Sequence, residues 1–361
     1  MNETLFYTAA APFEAACRIE NPQGSPLPVG HCARRLHGHS FLAKLRVQNA
    51  ASVEALRRQL GECVAPLDYN DLNQFLPMPT DENLARWVRA RMALPGVASV
   101  GVQSTRHQGA DLDLQDNAHI WRRFRFEAAH RLPQVPPGHQ CGRMHGHGFE
   151  VILHANQNVQ AQDMGVDFDR LEAVWLPLHA QLHHHCLNDI PGLENPTSEM
   201  LAAWLWARLK PELEALSWVS VYETVTAGCH YDGQRYRIWK DQRFESALHL
   251  ERAAPDAGVR RLHGHSYLLR LHLTSPLDAV MGWTVDYGDV KQLFTPLYQQ
   301  LDHHCLNELP GLDEPDPPGL ARWIRTQASP GLPQLDRIDL YETPGCGVVL
   351  SWGEHEPGLP V

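Results

Sequence analysis

A short pattern that occurs three times constrains the fold of this chain more than any other feature. Phe126-Glu-Ala-Ala-His-Arg-Leu132 is matched by Phe13-Glu-Ala-Ala-Cys-Arg-Ile19 and by Phe244-Glu-Ser-Ala-Leu-His-Leu250. A His-Gly-His triplet follows each one, at His37–His39, His145–His147 and His263–His265. Further on, Leu182-His-His-His-Cys-Leu-Asn188 matches Leu301-Asp-His-His-Cys-Leu-Asn307, and the first copy offers Leu67-Asp-Tyr-Asn-Asp-Leu-Asn73. Copies two and three also share Pro-Gly-Leu at Pro191 and Pro310, and Tyr-Glu-Thr at Tyr222 and Tyr341. The offset of about 110–120 residues is that of a whole domain, not of a solenoid unit of roughly 20–50 residues. We therefore read three tandem domains, at 1–116, 117–234 and 235–361, joined by linkers near Asp111–Asn117 and Asp232–Gln234.

Within copy two the hydrophobic periodicity orders the elements. Ile120 to His130 alternates as a strand, and Gly148 to Ala155 continues as a second. Phe168 to Leu182 carries apolar residues at helical spacing, as does Ser198 to Leu209 after the capping signal Thr197-Ser198. Trp218 to Thr224 returns to strand. An antiparallel sheet with two helices on one face is an α+β unit.

Composition narrows the function classes. A net charge of −11 argues against a general nucleic-acid surface, although a local basic pocket for a small anion remains open. No apolar run approaches the twenty residues of a membrane span, and Met1 to Cys17 lacks the pattern of a secretory leader. Eight scattered cysteines read as cytosolic thiols, so the expected location is the cytoplasm. The 22 histidines, several in pairs and triplets, direct the search to metal and acid–base chemistry.

In a strand, residues i and i+2 share a face, so His145 and His147 project together. His130 on the preceding strand can pair beside them. Three imidazoles with an open fourth position are the arrangement of a catalytic zinc; the plainer reading of His-Gly-His is a hydrogen-bonded turn. Copy one has Cys17 where copy two has His130, so zinc ligation by Cys17, His37 and His39 stays open. Copy three has Leu248 there, with His249 one residue later and therefore on the other face unless a bulge restores the register. Cys141, four residues before His145 and close to Arg143, reads as a thiol of lowered pKa able to act as base or nucleophile, against the plainer reading of a buried filler. Cys32 lies five residues before His37, so its placement differs, and copy three has no cysteine there. Asp302-His303 is a plausible proton-transfer pair, where copy two has His183-His184 and copy one Asp68-Tyr69. Glu223 and Glu342 end strands in Tyr-Glu-Thr, where a buried carboxylate can hold a guanidine-like edge by two hydrogen bonds; copy one has Ser104-Thr105 instead.

These residues resemble the 6-pyruvoyl-tetrahydropterin synthase and 6-carboxytetrahydropterin synthase group of tunnelling-fold enzymes. Copy two resembles the bacterial queuosine-pathway enzyme along its whole length, through Phe126–Leu132, Cys141–His147, Met164–Phe168, Cys186–Glu199 and Tyr222–Cys229. Copy three resembles the family well after Arg260, and copy one weakly, without a counterpart of Met164–Phe168. The resemblance implies zinc on His130, His145 and His147, a catalytic thiol at Cys141, and catalytic histidines at His184 and His303, the latter with Asp302. It implies pterin anchors at Glu223 and Glu342, although His183 stands where the family has aspartate. The implied reaction converts 7,8-dihydroneopterin triphosphate to 6-carboxy-5,6,7,8-tetrahydropterin, a queuosine and 7-deazapurine precursor. Three copies in one chain imply a covalent pseudo-trimeric barrel, and a homodimer would rebuild the family's hexamer. Copy three is then expected to lend Asp302-His303 to the copy-two zinc, with copy one as scaffold. The alternatives are a 6-pyruvoyl-type or folate-branch pterin enzyme and a non-catalytic pterin- or purine-binding protein. A purely structural zinc is disfavoured, because three histidines leave a coordination position unfilled.

Overall fold

The computed structural model describes residues 3–19, 27–28, 30–157 and 165–353. Met164, the first residue of the Met164–Phe168 motif, lies outside them. Copy one contributes strands β1 (Thr4–Cys17), β2 (His37–Val47), β3 (Asn70–Asp71), β4 (Val97–Thr105) and β5 (Gln108–Leu112), with helices α1 (Val53–Val64) and α2 (Asp81–Met92). Copy two contributes β6 (Ala118–His130), β7 (His145–Gln157), α3 (Phe168–Leu182), β8 (His185–Cys186), α4 (Ser198–Leu209), β9 (Leu216–Thr224) and β10 (Ala227–Tyr231). Copy three contributes β11 (Tyr236–Leu248), β12 (His263–Thr274), α5 (Tyr287–Leu301), β13 (His304–Cys305), α6 (Pro317–Ala328), β14 (Leu335–Thr343) and β15 (Cys346–Ser351).

Both copy-two helices run over the residues that their periodicity predicts. Asp167 caps α3 by accepting from Arg170 N, and Thr197 caps α4 by accepting from Met200 N. Orphan amides at each helix start are thereby satisfied, which is why these residue types stand there. The strand β7 is longer than the sequence suggests, because the His-Gly-His triplet belongs to it.

Twelve of the strands form one closed antiparallel barrel. Copies one and two join through β5 and β6, copies two and three through β10 and β11, and copies three and one through β15 and β1. The expected linkers are tight hairpin turns inside this ring. Asp111 is fully buried within β5, and the turn begins only at Asp113, whose Oδ1 accepts from Gln115 N and Asn117 N. Asp232 Oδ1 does the same for Gln234 N and Arg235 N. The short strands β3, β8 and β13 add in parallel to β1, β6 and β11 at one end of the barrel.

Alternation along each strand separates two environments. On β12, Leu269, Leu271 and Leu273 pack with Val290 and Phe294 of α5, so the helices cover the outer face. Arg270 and His272 therefore point into the lumen. There, buried charges pair with one another. Arg270 meets Asp241 at 2.7 Å and 3.0 Å. Arg337 meets Asp339 at 2.6 Å and 2.7 Å, and His272 Nε2 lies 3.2 Å from Asp339. Burial pushes the Asp339 carboxyl up, but Arg337 and His272 outweigh it and hold the group well below its ordinary range. Truncating one member of such a group leaves uncompensated buried charge. Asp339→Ala is expected to destabilise the fold by about 3–5 kcal/mol, measured as a lowered midpoint in urea unfolding; an unchanged midpoint would refute the role assigned to this pair.

Candidate metal centre and substrate cavity

Pairing of β6 with β7 sets His130 directly opposite His145 and Ala128 opposite His147. The three rings converge, with centroids 4.4 Å, 5.0 Å and 5.1 Å apart. Gly146 permits this approach, since a Cβ there would come within 3.1 Å of the Ala128 carbonyl oxygen. His145 Nδ1 donates to Arg143 O at 2.8 Å and His130 Nδ1 to Pro196 O at 3.1 Å, which directs both Nε2 atoms inward. Glu223 closes the group, its Oε1 3.5 Å from His147 Nε2 and 3.9 Å from His130 Nε2. The four ligand atoms lie within 4.8 Å of one another.

This donor set fits a metal ion. The Nε2 atoms of His130 and His147 are buried without a hydrogen-bond partner, an arrangement that costs free energy unless something accepts their lone pairs. Burial, then the neighbouring His145, pushes His130 down to about 4, so its imidazole is neutral at physiological pH, as a ligand must be. His147 is lowered for the same reasons. Glu223 is moved the other way, up to about 7, by burial and by Glu199 and Asp286.

The histidines open into a cavity of about 690 Å³ that also holds Cys141, Glu199 and Glu223. Its size is that of a small-molecule site, for which roughly 300–1,000 Å³ is usual. The thiol is not as the sequence suggested. Burial pushes Cys141 up, with Glu223 and Asp286 adding to it, and these outweigh any effect of Arg143 on the cavity wall.

Copy three does border this cavity, but not through the expected residues. Trp283, Asp286, Tyr287 and Lys291 line it, together with Lys240. Asp286 Oδ2 lies 3.0 Å from His139 Nε2, and Tyr287 OH 2.8 Å from Ser198 Oγ. Glu199, fully buried, accepts from Thr284 N at 2.8 Å and Thr284 Oγ1 at 3.0 Å. Asp302 and His303 instead sit on an exposed turn at the barrel end, 2.9 Å apart, with the His303 side chain 76 % exposed. The expectation that this dyad completes the copy-two site within one chain is corrected by these positions. His184 occupies the equivalent turn of copy two and is also exposed.

The three turns share one construction. Asp68, His183 and Asp302 each accept the backbone N–H of the glutamate in the repeated Phe-Glu pattern, Glu14, Glu127 and Glu245. His183 Nδ1 thus replaces a carboxylate oxygen in the turn but supplies His184 with no negative charge. Glu127 supplies it, with Oε2 3.4 Å from His184 Nε2. In copies one and three the same glutamate accepts from Ser40 or Ser266; copy two has Gly148 there, which leaves Glu127 to reach His184.

The other copies have diverged in opposite directions. In copy three Leu248 pairs with His263 without a bulge and is fully buried, while His249 turns away toward Glu251. His265 and Glu342 remain, 3.7 Å apart, in a cavity of about 1070 Å³. Segment 283–291 of copy three covers the copy-two cavity, and Val166 to Asp169 of copy two line the copy-one cavity. Copy one lacks that motif and lends the copy-three cavity Tyr7 and residues of Ala51–Arg57 instead. In copy one, Cys17, His37 and His39 group within 4.8 Å, but the cavity is about 120 Å³. Ala33 lines it at the place of Cys141, and Cys32 is exposed.

Sequence reasoning missed His139, Asp286, Lys240 and Lys291. A signal existed for the first two: His139 and His31 each stand six residues before a His-Gly-His, and Asp286 repeats the Val-Asp of Val166-Asp167. In copy one His31 makes a related contact two residues further on, with its Nε2 2.7 Å from Asp169 Oδ2.

Comparison with known proteins agrees with this geometry. The profile of the 6-pyruvoyl tetrahydropterin synthase family matches residues 7–112, 119–234 and 237–352. The chain belongs to that family, and is a lyase-type pterin enzyme. It is 39% identical over 123 residues to a 6-carboxy-5,6,7,8-tetrahydropterin synthase of Synechocystis, covering 32% of this chain and 94% of the relative. It is 30% identical over 94 residues to a dihydroneopterin monophosphate aldolase of Pyrococcus furiosus, covering 25% of this chain and 79% of that one. Among solved structures it is similar to Caenorhabditis elegans 6-pyruvoyl tetrahydropterin synthase, at 16% identity and TM-score 0.30, over 33% of this chain and 95% of that chain. No helix among the described residues is long and apolar enough to cross a membrane.

Glu342 yields a prediction free of metal effects. Burial, then Asp316 and Glu54, raise its pKa from 4.5 to about 7. The folded state therefore binds the proton more tightly than the unfolded state, so stability is full below 4.5 and falls as pH rises toward 7. The loss is on the order of 2–3 kcal/mol. Glu342→Gln is expected to flatten this part of the stability profile in denaturant titrations between these pH values; an unchanged slope would contradict the assignment.

Proposed function

We propose that the protein is a zinc-dependent 6-carboxy-5,6,7,8-tetrahydropterin synthase acting on 7,8-dihydroneopterin triphosphate, with its metal and thiol in copy two. The observation that carries this reading is the convergence of His130, His145, His147 and Glu223 in one cavity with Cys141. The similarity to the Synechocystis synthase supports the choice of product. His130, His145 and His147 would hold the zinc, which when bound polarises substrate oxygens and acidifies the adjoining C–H bonds.

The remaining work falls to the chain. Glu223 ends a strand at the cavity wall, where its acidic oxygens can take the amidine edge of a pterin by paired hydrogen bonds. Glu199, fixed by Thr284 and Ser198, holds the wall against which the ring lies. Trp283 offers a flat apolar surface, and Lys240, Lys291 and Arg143 offer positive charge for a triphosphate. Cys141 is the nucleophilic or basic side chain nearest the histidines in sequence and shares their cavity, so it moves the proton on the substrate side chain.

A second proton carrier comes, in this reading, from another copy of the chain. The end of the barrel that bears His184 and Asp302-His303 exposes Leu36, Met144 and Leu262, the residues before each His-Gly-His, and Tyr69. Repeated exposed apolar residues on one face mark an association surface. A homodimer stacked through this face would bring the exposed dyads of one chain toward the cavity of the other, rebuilding a pseudo-hexamer.

Turnover of 7,8-dihydroneopterin triphosphate by zinc-loaded protein, with products identified by mass, tests both parts. Cys141→Ala is expected to lower the rate by about 10²–10⁴-fold. Mixing Cys141→Ala chains with chains carrying Asp302→Ala and His303→Ala should restore about a quarter of wild-type turnover if each site spans two chains. No recovery on mixing would remove the shared site. An unchanged product yield with Cys141→Ala would remove the thiol from the reaction, and a 6-pyruvoyl or folate-type product would select the related pterin chemistry instead.

A further inference from the structure

We propose that copy one carries a second metal site of different character, in which Cys17, His37 and His39 hold a borderline-soft divalent ion such as zinc. The strand register that builds the copy-two histidines is repeated here: Cys17 lies opposite His37 and Ala15 opposite His39. The three ligand atoms fall within 4.8 Å of one another. Cys17 Sγ lies 3.8 Å from His37 Nε2. A tetrahedral ion with bonds of about 2.3 Å to sulfur and about 2.0–2.1 Å to nitrogen asks for about 3.6 Å between those atoms. Small side-chain adjustments therefore suffice.

The orientation of the imidazoles is already that of ligands. His37 Nδ1 donates to Arg35 O at 2.7 Å, matching His145 and Arg143 in copy two. The His37 and His39 rings stand at 89° with centroids 4.9 Å apart, against 89° and 5.0 Å for His145 and His147. Cys17 is 2 % exposed, so its thiol is kept from solvent and from adventitious oxidation. On binding, the S–H proton passes to solvent and the thiolate takes its place on the ion. The three copies thus differ in kind. Cysteine in copy one exchanges one ligand for another, whereas Leu248 in copy three removes it.

The surroundings exclude the chemistry assigned to copy two. The cavity, about 120 Å³, is well below the roughly 300 Å³ at which small-molecule sites begin. Ser104 stands in place of Glu223 and is bonded to Asp81, which leaves the fourth position on the ion to a water molecule. A metal held here ties the end of β1 to the start of β2.

This inference rests on copy one alone and stands apart from any turnover by copy two. The test uses full-length protein stripped with a chelator, reloaded with zinc and analysed for metal. Wild type is expected to hold about two ions per chain, and Cys17→Ser and His145→Ala about one each. With cobalt in place of zinc, a near-ultraviolet sulfur-to-metal charge-transfer band should appear in wild type and in Cys141→Ser and vanish in Cys17→Ser. Cys17→His, which recreates the copy-two ligand set, should keep both ions and lose the band, and it carries the test if the serine variant fails to fold. One ion per chain in wild type, or a band that survives loss of Cys17, overturns the proposal.

Discussion

Closure of the strand ring is the constraint on which the rest of this structure depends. Each copy supplies four barrel strands, and a four-stranded sheet alone would expose two edges of unpaired amides and carbonyls. The pairings β5 with β6, β10 with β11, and β15 with β1 consume every such edge. Closure also creates a lumen, and buried charges that alternation sends there pair with one another. Arg337 with Asp339 and Arg270 with Asp241 are the result. The helices are left outside, and the segments leading into α3 and α5 lie over the neighbouring copy. That is how a cavity built on copy two acquires walls from copy three.

A covalent trimer frees its parts to diverge, and the energetics show in which direction. In copy two, His130 is buried with its Nε2 unpartnered, a cost of about 1–3 kcal/mol when no ion is held. In copy three the same position is Leu248, whose burial contributes about 1.5–3 kcal/mol. A copy that holds no metal therefore gains stability by having leucine in place of the histidine. Copy three nevertheless keeps Trp283 to Lys291, because those residues serve the cavity of its neighbour and not its own. The copy-two cavity is thus shared, with the clustered histidines on one copy and part of its wall on the other.

What was legible in the sequence was whatever depends on local period or on repetition. The bounds of α3 and α4, the facing of His145 and His147, and the loss of register at His249 all follow from spacing along one segment. The number of copies made a ring of three foreseeable. Contacts between copies were not legible, because no local rule says that Asp286 lies beside His139 or that Thr284 fixes Glu199. The Cys141 thiol shows the same limit in its electrostatics. Arg143 is near in sequence, but burial and the acidic Glu223 and Asp286, remote in sequence, decide the direction. The wall of the site was misassigned to Asp302-His303 for the same reason: their residue types suit the chemistry, and their position depends on the ring.

The turns that bear those residues carry one more argument. Tyr69, His184 and His303 adopt φ of +53°, +60° and +60°, the left-handed region. For a residue with a Cβ this costs about 1 kcal/mol relative to glycine. The backbone explains the geometry, since the N–H of each donates to the carbonyl of Glu14, Glu127 or Glu245. It does not explain the side chains, since glycine would make the same bonds without strain. Tyr69 is 84% exposed, and His184 and His303 each meet one carboxylate of their own chain yet stay 69% and 76% exposed. Large side chains held in a strained conformation and presented to solvent, beside Leu36, Met144 and Leu262, make physical sense as parts of a surface that another chain covers. In that arrangement the strain at His184 and His303 becomes a means of aiming an imidazole outward, toward a cavity their own chain does not place within reach.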